Sequence, residues 1–405
     1  MNKADICRPF NGCAALDYHG TKQEQEMYFY VDESGHSGPN LFDAEQPILY
    51  YGVLSSRVNV DLVGADAIKR VCAELKVPRL HAGELGNGGL VKILPSLTKL
   101  HKSLDLRFDI YRVNKPDHAV ISFYDQVFDA GINKAVTWSS YWTPLRYVAL
   151  LKLSILFDEQ LARLAWDARI ESHDGRSQAK VREVCEALLT RLDRLPDARS
   201  RQLIGDALRW AINNLAELSY NAKGKTSQLS VMPNIIGFQS VLHGIASRVR
   251  KTGVKATKLV VDQQSQFNGA QRTLSDFYAA TAGVDWAAGP GLPKMNLKGV
   301  PDVPMDVTSG AKSAGLQLVD VYLWMFKRMM EHKELAPELL RFIKPMFFRT
   351  NTDEVSLQAI SNRWEPFFRN LPEPNSDQLV QARILMDREE ARRQEHVVRT
   401  LGQPE

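Results

Sequence analysis

The chain reads as a mixed α/β protein: a sheet of short strands, a long helical insertion and a helical tail. Three observations predict this. Aromatic and β-branched runs of strand length occur at 27–32, 48–54 and 106–113, and one recurs at 258–262. Between about 118 and 250 apolar residues recur at helical spacing, and strand-like runs are nearly absent. The early strands follow one another in hairpin order, whereas the later ones are separated by helical stretches.

Residues 1–26 are polar and without period, which predicts a leader. The first strand, Met27-Tyr28-Phe29-Tyr30-Val31, ends abruptly in Asp32, Glu33, Ser34 and Gly35. Adjacent strand residues point to opposite faces, but a strand ending at Ser-Gly lets the second carboxylate swing back toward the first. A turn-rich loop leads to the second strand at 48–54. Residues 62–76 place Leu62, Ala65, Ile68, Val71, Cys72 and Leu75 on one helical face. Residues 106–113 alternate apolar with polar, the pattern of a half-buried strand.

In the helical block the periodic positions include Val148, Leu151, Ile155, Val184, Leu188, Leu208 and Leu215. Trp138, Tyr141 and Trp142 fall in this block, where aromatic residues pack in a core more readily than they stack on bases. Lys258-Leu259-Val260-Val261 is again a short apolar run ending in an aspartate, Asp262. A helix is expected at 270–280 and an edge strand at 303–307, its Pro304 excluding a central place. A strong helix at 313–330 carries Leu316, Val319, Leu323 and Phe326. The tail is helical with proline breaks, and its charged run at 387–395 reads as a solvated helix.

The bulk numbers narrow the class. A chain of 405 residues, 44% hydrophobic and 24% charged, has the composition of an ordinary globular protein with room for a large core. Lys and Arg exceed Asp and Glu by only 51 to 47, a balance that neither demands nor excludes nucleic acid. Cys7, Cys13, Cys72 and Cys185 match no zinc or redox spacing, which suits a reduced intracellular protein. No apolar stretch approaches the ~20 residues of a membrane span, and no signal-peptide layout opens the chain. A cytoplasmic protein with no membrane partner is expected.

Chemistry is carried by acids in matching settings. Asp32 and Glu33 close the first strand, Asp262 closes a later one, and Asp320 lies on the last strong helix beside apolar Leu316, Val319 and Leu323. A carboxylate that close to a buried face is costly unless paired or bound to metal. Gln317 stands three residues before Asp320 and shares its helix face. Carboxylate oxygens suit a hard cation such as Mg²⁺. Several together can hold two ions ~4 Å apart for in-line phosphoryl displacement.

Asp32 is the first candidate ligand, Asp262 and Asp320 the next. Glu33 either binds metal or orients a ligand. Glu84, with His81 three residues earlier, is a ligand, a general base or simply an exposed acid. His36 is a proton shuttle or a polar loop residue. Gln317 would position substrate by hydrogen bonds.

Other chemistries fit less well. Gly86-Asn87-Gly88-Gly89 lacks the context and the Lys-Ser/Thr of a phosphate loop, and no serine sits in a nucleophile elbow. Ser309 to Ser313 precedes the last helix, where backbone amides suit a phosphate and Ser313 equally suits an N-cap. Arg248, Arg250 and Lys251 lead into the Asp262 strand and are candidates to hold a phosphate backbone without reading bases. Arg191 to Arg201 reads as a solvated helix face.

The Asp-Glu-Ser-Gly strand end, His-Ala-Gly-Glu-Leu at 81–85, the strand-end Asp262 and the Gln-Leu-Val-Asp helix at 317–320 resemble one family. It is the bacterial and phage "domain of unknown function 3800" family. The resemblance covers 27–113 and 257–331 in pieces. It implies a ribonuclease H-like fold whose nucleases use a carboxylate cluster with Mg²⁺ or Mn²⁺. On that reading 27–117 and 251–332 form the core, 118–250 the insertion and 333–405 a helical extension. Asp32, Glu33, Asp262 and Asp320 would hold metal and, with Glu84, carry catalysis on DNA or RNA. Two rivals remain: a non-catalytic nucleic-acid-binding or regulatory protein on the same fold, and a nucleotide phosphohydrolase.

Overall fold

The computed structural model describes residues 26–36, 38–282, 284–287, 289–292 and 294–401. The expected leader, with Cys7 and Cys13, lies outside the described residues except for Glu26, which opens the first strand.

Eight strands occur in the described chain. They are β1 (Glu26–Ser34), β2 (Ile48–Ser56), β3 (Arg107–Asn114), β4 (Lys255–Asp262), β5 (Asp285–Ala287), β6 (Lys294–Asn296), β7 (Met305–Thr308) and β8 (Thr352–Val355). Six form one mixed sheet in the order β7-β4-β1-β2-β3-β8, and β5 and β6 make a separate ribbon. β2 runs antiparallel to β1 and β3, while β4 lies parallel to β1, β7 to β4 and β8 to β3. The expected strands are all present, and the proline-marked one is an edge strand.

The pleat sorts the apolar residues between two faces. Tyr30, Tyr50, Leu54, Phe108, Ile110 and Val260 face the Ala82–Ser103 and Ala314–Met330 helices. Phe29, Val31, Tyr51, Val53, Leu259 and Val261 face the Pro233–Thr252 helix. Phe29, Tyr30 and Val31 are fully buried. Each such side chain contributes about 1.5–3 kcal/mol through burial, enough to fix the register of the central strand. A one-residue slip would exchange the two faces.

Two glycines bring elements into reach of the site. Gly35 has φ +99, and a Cβ there would meet the Ile48 carbonyl oxygen at 2.3 Å, so only glycine makes the turn after β1. Gly315 lies against the Tyr30 ring, where a Cβ would come within 2.1 Å. The Ala314–Met330 helix therefore rests directly on β1.

The segment between β3 and β4 is helical throughout its regular elements, with its own core around Phe123, Trp166, Cys185 and Leu208. Tyr141 belongs to that core, while Trp138 is exposed. The expected boundary of the insertion at 250 needs correction. Pro233–Thr252, its last helix, covers the second face of the sheet through Phe238, Val241, Leu242 and Ile245. The insertion outside the sheet thus ends near 232. Helical periodicity shows that a face is apolar but not which surface covers it, and this helix covers the sheet.

Other departures are local. Gly64 divides the expected 62–76 helix into Val60–Val63 and Ala65–Leu75. The tail contains an unexpected strand, β8, besides the helices Pro337–Phe347, Leu357–Arg369 and Ser376–Leu401. The 387–395 run is helical, but Arg393 is buried and donates to Asp206 at 2.7 Å, anchoring the tail to the helical block. Cys72 and Cys185 are buried free thiols. Among the described residues no single helix is long and apolar enough to cross a membrane.

Candidate active site

β1 and β4 are adjacent and parallel, with Val31 opposite Val261. The next residues, Asp32 and Asp262, therefore stand side by side near the carboxyl ends of the two strands. Both continue the face of Tyr30 and Val260, so they point toward the Ala314–Met330 helix, which carries Asp320. Asp32 feels the charges of both Asp320 and Asp262, and Asp262 feels that of Asp320. The three aspartates form one electrostatic group.

Each acid also has a protein donor. The Glu33 N–H donates to Asp32 Oδ1 at 2.7 Å, and the Gly310 N–H to Asp262 Oδ1 at 2.8 Å. Asp320 Oδ2 accepts from the Ala82 N–H at 2.7 Å and lies 3.3 Å from His81 Nδ1. Burial, then the charges of Asp320 and Asp262, hold the Asp32 carboxyl well above the usual carboxylate range. Burial also raises Asp262, against the Gln263 and Gly310 N–H groups and the Arg79 charge, which pull it down. Among the described residues no three His, Cys, Asp or Glu side chains stand as a preformed metal cage.

Glu33 departs from expectation. β1 continues to Ser34, so the pleat still alternates at Glu33 and turns its side chain to the opposite face. There Asn234 Nδ2 donates to Glu33 Oε2 at 2.8 Å, with Tyr51 and Gln264 as further partners. Burial pushes its carboxyl up to about 7 despite those hydrogen bonds. It stands behind Asp32 rather than beside it. His36 lies on the same side, its ring centroid 4.9 Å from that of Phe267, and burial lowers its basicity.

Gln317 and Asp320 share a helix face, and together they clamp the segment 80–82. Gln317 Oε1 accepts from the Leu80 N–H at 2.9 Å, one residue before the His81 and Ala82 contacts to Asp320. The His-Ala-Gly-Glu run is thereby pinned against the carboxylates. Glu84 is more peripheral: its side chain is 62% exposed, 3.9 Å from His81 Nε2 and 4.0 Å from Arg79.

The basic cluster is not at this edge. Arg248 makes a two-armed ion pair with buried Asp109 near the start of β3, its Nε donating to Oδ2 at 2.8 Å. Arg250 donates to the Lys298 carbonyl at 2.7 Å, and Lys251 lies 3.2 Å from Asn351 Oδ1. All three precede β4, whereas Asp262 ends it, so the seven steps of the strand separate them by about 23 Å. Proximity in sequence misled because a strand carries its two ends to opposite edges of the sheet.

Several groups at the site were not singled out from sequence. Arg79 faces Asp262 and Glu84. Behind the turn after β1, Lys327 Nζ donates to Ser34 Oγ at 3.0 Å and buried Lys115 Nζ to the Gly35 carbonyl at 2.9 Å. Asn234 supports Glu33. Lys327 lies seven residues after Asp320, two helical turns along the same face, and that spacing was the available signal. Nothing local marks Arg79, Lys115 or Asn234. No family model matches the chain, nor does any curated protein or solved structure.

Proposed function

We propose that this protein is a divalent-cation-dependent nuclease with a ribonuclease H-like core. The observation that carries the reading is the convergence of Asp32, Asp262 and Asp320 from two adjacent strand ends and one packed helix. Like charges gathered in a half-buried place destabilise one another unless protonated or matched by a cation. An all-oxygen donor set of this kind suits Mg²⁺ or Mn²⁺. Asp32, Asp262 and Asp320 would hold the cation, and the Glu33 backbone N–H steadies the Asp32 carboxylate. When bound, such a cation supplies water activation and charge stabilisation for phosphodiester hydrolysis.

The chain's own groups have separable tasks. Asp32 and Asp262 bring negative charge to the sheet edge. Gln317 and Asp320 hold His81 beside the centre, where its ring can take or give a proton at Nε2. Arg79 offers a cation to an approaching phosphate. The hairpin order of β1, β2 and β3, with β4 parallel beside β1, supports the ribonuclease H-like reading, as do the three aspartates. The resemblance to the family of unknown function named above rests on the same residues.

The test is incubation of purified protein with DNA, RNA and free nucleotides in Mg²⁺, Mn²⁺ or EDTA. Cation-dependent cleavage of a strand, lost in Asp32→Asn, is expected. Hydrolysis of free nucleotides alone would favour a nucleotide phosphohydrolase. Cation-independent behaviour in every arm would reject the reading.

A further inference from the structure

A cavity of about 450 Å³ opens beside the carboxylate centre, between the Ala65–Leu75 helix and the start of the Ala314–Met330 helix. Lys69, Ala73, Lys312, Asp61 and Gln317 line it. One short turn joins it to the acids: the Gly310 N–H binds Asp262, and Lys312, two residues on, forms the cavity lip. A volume of this size accommodates one nucleotide unit.

The cavity floor holds a polar group with unused capacity. Gln317 is only 8% exposed, and its Oε1 accepts from the Leu80 N–H at 2.9 Å and lies 3.9 Å from Cys72 Sγ. Among the described residues its Nε2 has no hydrogen-bond partner. A primary amide carries two donors there, and this one is open to the cavity and free to meet an acceptor on a ligand. On the other wall Asp61 accepts at Oδ1 from Ser313 Oγ at 2.7 Å and from the Gly315 N–H at 2.9 Å. Its Oδ2 makes no hydrogen bond within the described chain. The walls thus present one donor and one acceptor, with ammonium groups at the rim. Lys69 is 79% exposed, and among the described residues it pairs only with the similarly exposed Asp66 at 3.8 Å. Such a pair holds little against a phosphate.

From this we infer that the cavity seats the nucleotide next to the scissile phosphate. Its base edge meets Gln317 Nε2 and Asp61 Oδ2, and its phosphate meets Lys312 and Lys69. This rests on the nuclease reading and adds to it a base-sensing subsite. Gln317 becomes a specificity residue: its oxygen holds the protein, and its nitrogen is left for an acceptor on the base.

The inference is tested with labelled single-stranded homopolymers of each base, bound to full-length Asp32→Asn protein and followed by fluorescence anisotropy. Ala73→Trp fills the cavity from an exposed helix position and should weaken binding at least tenfold. Lys312→Glu should do so by a similar factor and more steeply at low salt. Gln317→Glu keeps the acceptor that holds Leu80 but exchanges the donor, so it should reverse or flatten the ranking of the four homopolymers. Thermal melting of each variant separates lost folding from lost binding. Affinities and ranking within twofold of Asp32→Asn in all three folded variants would overturn the subsite alone. No binding of any strand by the Asp32→Asn protein would overturn the nuclease reading and the subsite with it.

Discussion

Replacing Arg248 with alanine should cost stability rather than substrate binding, and the structure gives the size. The Asp109 side chain is 2% exposed and that of Arg248 11%, so the pair is shielded from water. Arg248 reaches Asp109 through both Nε and Nη2, and the Asn351 N–H adds a third donor at 2.8 Å. Truncating the arginine leaves a buried carboxylate with little more than one backbone donor. Breaking such a pair typically costs about 3–5 kcal/mol. An unfolding entropy of about 2.1 cal/mol/K per residue makes this a fall of roughly 5 °C in melting temperature for a chain of this size. Arg248→Lys should lie between, because an ammonium cannot reproduce the two-armed geometry. The Arg248→Met/Asp109→Leu double variant should recover most of the loss, since it leaves neither charge unpaired. Calorimetry and urea unfolding read these values, and cleavage by the still-folded Arg248→Ala protein should match the parent. A loss below about 1 kcal/mol, or normal stability with selectively weakened strand binding, would refute the reasoning.

Three further outcomes are expected. Asp32→Asn should abolish cation-dependent cleavage and the melting-temperature rise produced by Mg²⁺, while leaving the cation-free protein at least as stable as the parent, because it removes one repelling charge; a parental Mg²⁺ shift in the variant would exclude Asp32 as a ligand. Glu33 is raised from 4.5 to about 7, so the folded state holds its proton more tightly than the unfolded chain does. Its contribution to stability is therefore present at low pH and declines as pH rises from about 4.5 to about 7. Urea unfolding of parent and Glu33→Gln across that window should show the variant gaining on the parent with pH, and the opposite trend would contradict the assigned burial. Gly315→Ala should lose about 1–3 kcal/mol by overpacking against Tyr30 and lower activity through displacement of Asp320; unchanged melting and rates would mean the helix can lift without consequence.

Much of the sheet is legible in the chain because its central strands are long, aromatic and β-branched. β8 is not: Thr-Asp-Glu-Val is four residues with two acids, and it is a strand because β3 offers a parallel edge. The three aspartates are visible as strand-end and buried-helix acids. Their common direction follows from the pleat, which also sends Glu33 the other way once β1 is known to reach Ser34. Arg248 shows the limit of local reading, since its partner Asp109 lies 139 residues earlier. The role of Pro233–Thr252 as a layer of the core was hidden for the same reason. Its apolar face says that something covers it, and only the tertiary structure says what.

The wide separation of β1 from β4 has a consequence during synthesis. Met27 and Thr257, joined across these strands, are 230 residues apart. A ribosome adding about 5–20 residues per second needs roughly 12–46 seconds to span that interval. Throughout that time β1, β2 and β3 can pair as hairpins, but one edge of β1 has no neighbour. Its row of open amides and carbonyls is a template for any passing strand. The helical block is complete before β4 leaves the ribosome, so its core can form while the sheet waits. Slowing translation within 115–250 should therefore lengthen the exposure of β1 and lower soluble yield, even though the finished protein is unchanged.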